Sequence, residues 1–178
     1  LQHARARRRP RATLDEALRQ LRASPLHHPL RLLLGEWACC AYRDALWLEP
    51  AATRAPVARR WHGEPAIPWG DARVCFDVVP GAGLSRALLD AASEVRLGLR
   101  VPGLRLQLDA RRPRRPLRKL CQEAGIPAWL RDRLPVLWVD GEAAWVGGIG
   151  VAVACACPPD AAGVLPRWEL APHVEEGS

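Results

Sequence analysis

The stretch Arg111–Gly150 reads RRPRRPLRKLCQEAGIPAWLRDRLPVLWVDGEAAWVGGIG, and it sets the interpretation of the whole sequence. A helix is predicted to begin at Pro116, because the N–H that proline lacks would be unpaired in a first helical turn anyway. Apolar residues then recur with helical spacing on one face, namely Leu117, Leu120, Cys121 and Ala124. Gly125 favours the left-handed conformation that ends a helix. The pattern predicts a short amphipathic helix with a basic outer face.

A second short helix and a β-hairpin are predicted to follow. Pro127 suits the first turn of that helix, and Pro135 ends it, since the residue before a proline is disfavoured in helical conformation. Val136–Val139 is predicted as a strand. Asp140–Gly141 then forms a tight turn, which needs positive φ, and Ala143–Val146 is the returning strand.

Several blocks of this segment match a known family in one ungapped register. They are LRKL at 117–120, QEAGIP at 122–127, WLRD at 129–132, LPVL at 134–137 and VGGIGV at 146–151. With these residues, the segment resembles the C-terminal domain of bacterial tRNA(Ile)-lysidine synthase. Pro116 stands where that family commonly has a basic residue. Cys121 stands where it has a large aromatic residue, which leaves space unless Trp138 or Trp145 fills it.

The resemblance implies an RNA-modifying ligase. In that family, ATP activates the cytidine at the first anticodon position of an isoleucine tRNA, and lysine then attacks to give lysidine. The resemblance places ATP (with Mg) and lysine in an N-terminal domain with an SGGxDS-type pyrophosphatase loop. The serines of this chain lie in no such loop; they are Ser24, Ser85, Ser93 and Ser178. We therefore expect no catalytic residue and no cofactor in this chain, which alone should be inactive.

For this region, the resemblance implies recognition and positioning of tRNA. The expected partner is tRNA(Ile) with a CAU anticodon, held on its acceptor-stem side by the C-terminal domain and on its anticodon side by the central domain. The resemblance also implies a cytoplasmic protein, and it allows a homodimer of the intact protein. The competing hypothesis is a stand-alone basic RNA-binding or assembly module without catalysis.

Composition and charge agree with a globular chain that binds a polyanion. The 178 residues are 49% hydrophobic and 25% charged, and 26 Lys and Arg against 19 Asp and Glu give a net charge of +7. Such an excess favours a phosphate-rich partner, because binding releases condensed counterions. A basic domain without such a partner would have the same composition. No apolar run of about 18 residues occurs, so no transmembrane helix is predicted.

The sequence predicts an α+β fold in two small domains. By the resemblance, residues 1–50 end a central substrate-recognition domain and residues 69–178 form the C-terminal tRNA-binding domain. Residues 51–68 are predicted to be a linker, because they are rich in Pro and Ala. The first domain is predicted to hold a helix over Thr13–Ala23, which starts with a capping box, and then a three-stranded meander. The strands of the meander are predicted at Leu30–Leu34, Trp37–Arg43 and Ala45–Leu48.

The second domain is predicted to be a small sheet with a helix–turn–helix corner. Besides the segment described first, its elements are a strand over Val74–Val79, a helical turn within Leu84–Ala92, and strands over Glu94–Arg100, Leu104–Leu108 and Ile149–Cys155. Alternation of apolar and polar residues indicates half-buried strands. A last strand is predicted around Trp168.

Basic residues converge on the predicted helix–turn–helix corner. They are Arg111, Arg112, Arg114, Arg115, Arg118, Lys119, Arg131 and Arg133. Arginine suits phosphate because it is planar, permanently charged and bidentate, and duplex RNA is recognised mostly through shape, phosphates and 2′-hydroxyls. A helix N-terminus would add free N–H groups. We predict that these residues bind tRNA; the alternative is that several solvate a face or pair with Asp109, Glu123 and Asp132.

Cysteine spacing argues against a metal site. The six cysteines include no CxxC pair and have no histidines at zinc-site spacing. They are expected to be small buried hydrophobes that stay reduced. An independent hydrolase is not favoured either, because His62 and His173 are isolated and Cys121 is predicted to face inward.

Overall fold

The structure, a computed structural model, describes Arg19, residues 30–42 and residues 45–170. The chain divides into two compact units, Leu1–Thr53 and Arg54–Ser178. Helix and sheet are both present, so the predicted α+β class is confirmed. The helix predicted over Thr13–Ala23 lies outside the described residues, apart from Arg19, which is helical.

The first unit contains the predicted three-stranded meander. Its strands are β1 (Leu30–Leu34), β2 (Trp37–Tyr42) and β3 (Ala45–Pro50). They pair antiparallel in the order β1-β2-β3. Gly35, with a φ of 69°, makes the first turn. The prediction is confirmed in number and order, and β3 extends two residues beyond its predicted end.

The second unit holds the remaining elements. Its strands are β4 (Arg59–Arg60), β5 (Ala66–Trp69), β6 (Ala72–Pro80), β7 (Leu84–Ser85), β8 (Val95–Gly98), β9 (Arg105–Leu106), β10 (Arg115–Pro116), β11 (Val136–Val139), β12 (Glu142–Val146), β13 (Gly150–Val151) and β14 (Ala162–Leu170). Its helices are α1 (Arg86–Ala91), α2 (Leu117–Glu123), α3 (Ala128–Arg131) and a 3₁₀ turn at Val153–Cys155. None of these described helices has the length and apolar character that crossing a membrane requires.

Three antiparallel sheets organise the second unit. One has five strands in the order β13-β12-β11-β8-β4, a second has four in the order β5-β6-β14-β7, and β9 and β10 form a small ribbon. The longest pairing runs between β6 and β14, from Ala72 opposite Leu170 to Pro80 opposite Ala162. This pairing joins segments about 90 residues apart, so it has no local sequence signal.

The strand β11 is buried on both faces, and two hydrophobic cores meet at it. Leu137 and Val139 face a core shared with the four-stranded sheet, whereas Val136 and Trp138 face a core covered by α2. Alternate side chains of a strand point to opposite faces, so one four-residue strand serves both cores. Trp138 packs in the same core as Cys121.

Local sequence signals explain the hairpin between β11 and β12. Asp140 and Gly141 have φ values of 47° and 85°, as a tight primed turn requires. The strand predicted over Ile149–Cys155 is wrong in part, because the chain is extended only at Gly150–Val151 and then turns into the 3₁₀ segment. The Val153 N–H donates to the Gln107 carbonyl oxygen at 2.8 Å instead of to a sheet neighbour, and this contact takes the chain out of the sheet.

The structure places residues 54–68, which the sequence analysis assigned to a linker, in the second unit. Trp61 is buried in the core between the two larger sheets, with its ring 5.0 Å from that of Phe76. Its indole N–H donates to the Glu64 carbonyl oxygen at 2.8 Å.

Two glycines with nearly equal φ provide a matched test of this fold. Gly83 has a φ of 74°, and a Cβ there would lie 2.2 Å from the Val164 carbonyl oxygen, whereas Gly103 has a φ of 75° and an added Cβ would meet nothing within 4 Å. Both Gly83→Ala and Gly103→Ala incur the strain of left-handed φ, about 1–2 kcal/mol. We expect Gly83→Ala to lose about 1–3 kcal/mol more, because the backbone must move. Urea unfolding measures both losses, and equal losses would contradict the packing of the Gly83 turn against β14.

Candidate nucleic-acid interface

The helix α2 covers the second core and turns its basic side outward. Leu117, Leu120 and Cys121 are buried, while Arg118 and Lys119 are exposed. This division follows the predicted amphipathic pattern.

Both ends of α2 are fixed by backbone hydrogen bonds. At the C-terminus, the Ile126 N–H donates to the Cys121 carbonyl oxygen at 2.8 Å and the Gly125 N–H to that of Gln122 at 3.3 Å, with Gly125 at a φ of 71°. This pair of bonds is a Schellman motif, so the predicted role of Gly125 is confirmed. At the N-terminus, the Leu117 N–H donates to the Leu104 carbonyl oxygen at 2.9 Å. That N–H is therefore not free for a phosphate.

The loop before β10 presents a group of arginines on a fixed backbone. Asp109 accepts a hydrogen bond from the Arg111 N–H at 2.8 Å, and the Gln107 amide donates to the Arg112 carbonyl oxygen at 2.8 Å. Arg105 donates from Nη2 to the Arg114 carbonyl oxygen at 2.9 Å. The backbone is thus held by side chains at its base, and the arginine side chains of the loop extend into solvent.

The predicted cations differ in how far carboxylates already neutralise them. For Arg112 and Arg114, the nearest carboxylate oxygens lie 3.9 Å away, on Asp109 and Glu142, and the two side chains are 72% and 62% exposed. Exposed ion pairs at such a distance contribute little to stability. The side chains of Arg111, Arg118 and Lys119 make no hydrogen bond or ion pair within the described part of the chain.

Arg115 is engaged with Glu123 at the other end of α2. Its Nη1 donates to Oε2 of Glu123 at 2.8 Å, and its Nη2 donates to Oε1 of the same carboxylate. The hydrogen bond from Arg115 lowers the pKa of Glu123, and the charges of Arg112 and Lys119 add to that lowering. Glu123 therefore lies among three of the predicted cations.

Arg131 and Arg133 have contacts that support the fold. Arg131 donates from Nε to the Ile126 carbonyl oxygen at 3.0 Å, and the Arg133 carbonyl oxygen accepts the Trp69 indole N–H at 2.7 Å. Both side chains are half-buried. The structure therefore brings Arg112, Arg115 and Lys119 together around Glu123 and gives these two arginines positions next to the α2–α3 turn.

Further arginines of the second unit were absent from the sequence prediction. Arg105 supports the loop from below, and Arg100 forms an ion pair with Asp132. Both lie in strands predicted from the alternation of apolar residues, over Glu94–Arg100 and Leu104–Leu108. The same alternation could have identified Arg105, since it must point away from the buried Leu106 side chain.

A second charged surface, on the four-stranded sheet, is neutralised by its own residues. Arg73 donates to Glu169 with Nε and Nη2, at 3.1 and 3.0 Å. Arg167 donates to both Asp77 and Glu169. These cations already have carboxylate partners, so this face offers less to a polyanion than the surface around α2.

No group of three or more metal-ligating side chains comes together among the residues that the structure describes. Cys39, Cys40, Cys121 and Cys155 are buried, whereas Cys75 and Cys157 are half-buried. Cys121 is 1% exposed, and burial raises the pKa of its thiol. Burial, followed by the nearby Glu49 carboxylate, raises the pKa of Cys40 to about 11. Thiols with raised pKa values are poor nucleophiles at neutral pH.

Comparison with known proteins identifies the region that carries these cations. Residues 95–169 match the family model described as the TilS substrate C-terminal domain. This part of the chain belongs to that family. All residues predicted to bind tRNA lie within this TilS substrate C-terminal domain, and the resemblance inferred from the sequence is confirmed.

Curated relatives of the chain are tRNA(Ile)-lysidine synthases. The chain is 56% identical over 160 residues to that of Aromatoleum aromaticum, a match that covers 89% of this chain and 37% of that protein. It is 47% identical over 172 residues to that of Azoarcus sp. (strain BH72), covering 97% and 37%. It is 30% identical over 168 residues to that of Nitrosomonas europaea, covering 90% and 36%. The chain thus spans little more than a third of the length of these relatives.

The fold is also similar to a solved one. A crystal structure of a TilS C-terminal domain matches with a TM-score of 0.51 and 20% identity, covering 65% of this chain and 99% of the solved chain. At this identity the match concerns the fold alone.

The bond between Arg115 and Glu123 predicts a measurable pKa change. In Arg115→Gln, the loss of the charged donor should raise the pKa of the Glu123 carboxyl towards its ordinary value, because the bond that lowers it is gone. A ¹³C NMR titration of the glutamate carboxyl groups measures the change. In Arg86→Gln, which removes an arginine paired with Asp90, the pKa of Glu123 should stay as it is. An unchanged Glu123 pKa in Arg115→Gln would contradict the pairing.

Proposed function

We propose that this chain is the tRNA-binding region of a tRNA(Ile)-lysidine synthase, the ATP-dependent ligase that joins lysine to the wobble cytidine of the CAU anticodon of tRNA(Ile). The region recognises and positions the tRNA. In this proposal the chain alone is inactive, and ATP (with Mg) and lysine bind to a separate catalytic domain. The intact protein works in the cytoplasm and is a candidate homodimer.

The observation that carries the proposal is the set of exposed cations without close carboxylate partners around α2. They are Arg111, Arg118 and Lys119, with Arg112 and Arg114 only loosely paired. Each cation that meets a phosphate releases counterions, and this release dominates affinity for nucleic acid. The names of the relatives supply the identity of the RNA, which the cations by themselves do not specify.

The arrangement suits a duplex better than unstacked bases. The cations of this surface are guanidinium and ammonium ions on a short helix and a braced loop, and no exposed aromatic ring lies among its described residues. Guanidinium groups bind phosphates bidentately, whereas single strands are bound by stacking on aromatic rings. Recognition through phosphates and shape is the mode expected for a tRNA stem.

Removing the free cations should lower both affinity and salt dependence. In the variant Arg111→Gln/Arg118→Gln/Lys119→Gln, we expect the slope of log K against log salt to fall by about 2–3, because each lost phosphate contact removes about 0.7–0.9. Filter binding of tRNA(Ile) over a salt series gives the slope.

The matched control removes three arginines that have carboxylate partners, as Arg73→Gln/Arg86→Gln/Arg167→Gln, and so makes the same change in net charge. It should lower the slope by less than about 1, since these residues are not expected to contact RNA. Equal effects of the two triple variants would show that total charge, and not the α2 surface, governs binding.

Two tRNAs with the same anticodon separate the proposal from its alternative. The unchanged chain should bind tRNA(Ile) with the CAU anticodon more tightly than the elongator methionine tRNA, with affinity that falls steeply as salt rises. Equal, salt-dependent binding of both tRNAs would support a basic RNA-binding module without identity recognition in this chain. Absence of binding to either tRNA at low salt would support an assembly module and contradict the proposed function.

A further inference from the structure

One carboxylate lies within the proposed tRNA surface. Glu123 is in the last turn of α2, its side chain is 58% exposed, and it accepts two hydrogen bonds from Arg115. Lys119 precedes it by four residues, so the two side chains lie on the same side of the helix. Arg112 is near enough for its charge to act on the same carboxylate.

The geometry of this contact is the one that a phosphate would use. A guanidinium binds a carboxylate or a phosphate through two parallel N–H···O bonds, and the same fork cannot serve both anions at once. While Glu123 holds both terminal nitrogens of Arg115, a phosphate has to displace it before it binds Arg115 in this way.

We propose that Glu123 competes with RNA phosphates for Arg115 and so limits the affinity of the α2 surface for RNA. The cost of displacing Glu123 falls on an RNA that places a phosphate at Arg115, and an RNA that touches only the outer cations does not bear it. Glu123 thus sets how much Arg115 adds to the affinity for RNA. This inference rests on the proposed function.

The first test compares two neutralised carboxylates in the full 178-residue chain. Glu123→Gln should bind transcribed tRNA(Ile) with the CAU anticodon about three- to fivefold more tightly than Asp90→Asn at low salt, the modest gain expected when one exposed ion-pair partner is removed. Asp90 is a close control: it is also 58% exposed and accepts from Arg86 Nε at 2.8 Å, on α1. Both variants change the net charge equally, so their difference is local.

A second test asks whether the effect passes through Arg115. In the Arg115→Gln background, Glu123→Gln should strengthen binding no more than Asp90→Asn does, because the contested guanidinium is absent. Near-neutral effects on folding are expected for these exposed pairs, and circular dichroism of each variant checks the fold.

The outcomes separate this inference from the proposed function. If the unchanged chain binds tRNA but Glu123→Gln gains nothing over Asp90→Asn, or binds more weakly, competition by Glu123 is wrong and the proposed function stands. If Glu123→Gln still tightens tRNA binding more than Asp90→Asn in the Arg115→Gln background, Glu123 acts through cations other than Arg115. That result would also overturn the inference. If the unchanged chain binds no tRNA, both the proposed function and the inference fail.

Discussion

Burial of β11 on both faces is the constraint on which the rest of the second unit depends. Val136 and Leu137 are fully buried, and they point to opposite faces. One face needs the four-stranded sheet as cover, and the other needs α2 with its flanking turns. Burying a large apolar side chain stabilises a fold by about 1.5–3 kcal/mol. Loss of either cover would therefore expose buried side chains and destabilise the unit. The position of the basic surface therefore follows from the packing of a hydrophobic strand.

The packing also determines which cations are available. Leu117, Leu120 and Cys121 anchor α2 on the core, and Arg118 and Lys119 then have no position except the outer side. The loop before β10 is braced by Gln107 and Arg105, so its arginines emerge beside the helix. In the four-stranded sheet, by contrast, Arg73 and Arg167 form ion pairs with Asp77 and Glu169. Net charge alone does not show this difference, because it counts paired and free arginines alike.

Local signals in the sequence predicted the elements that depend on a few neighbouring residues. The spacing of apolar residues predicted α2, and Gly125 predicted where it ends. The Asp140–Gly141 pair predicted the hairpin. The nine-residue strand β14 was predicted only around Trp168, because Gly163 and Pro166 interrupt its pattern and its partner β6 is distant in sequence. The sequence analysis named Glu123 as an alternative partner for these arginines, but local rules did not assign it to Arg115, since the bond joins a residue before the helix to one at its end. The eight-residue separation has no standard side-chain contact.

The measurement that tests the central claim most directly is a side-chain NMR titration. The Nε–Hε signals of the arginines are followed in the ¹⁵N-labelled chain as tRNA(Ile) with the CAU anticodon is added. The account predicts that signals of the arginines around α2, Arg111, Arg112, Arg114, Arg115 and Arg118, shift or broaden at low salt, while those of Arg73 and Arg167 remain in place. Changes centred on Arg73 and Arg167, with the α2 arginines unaffected, would contradict it.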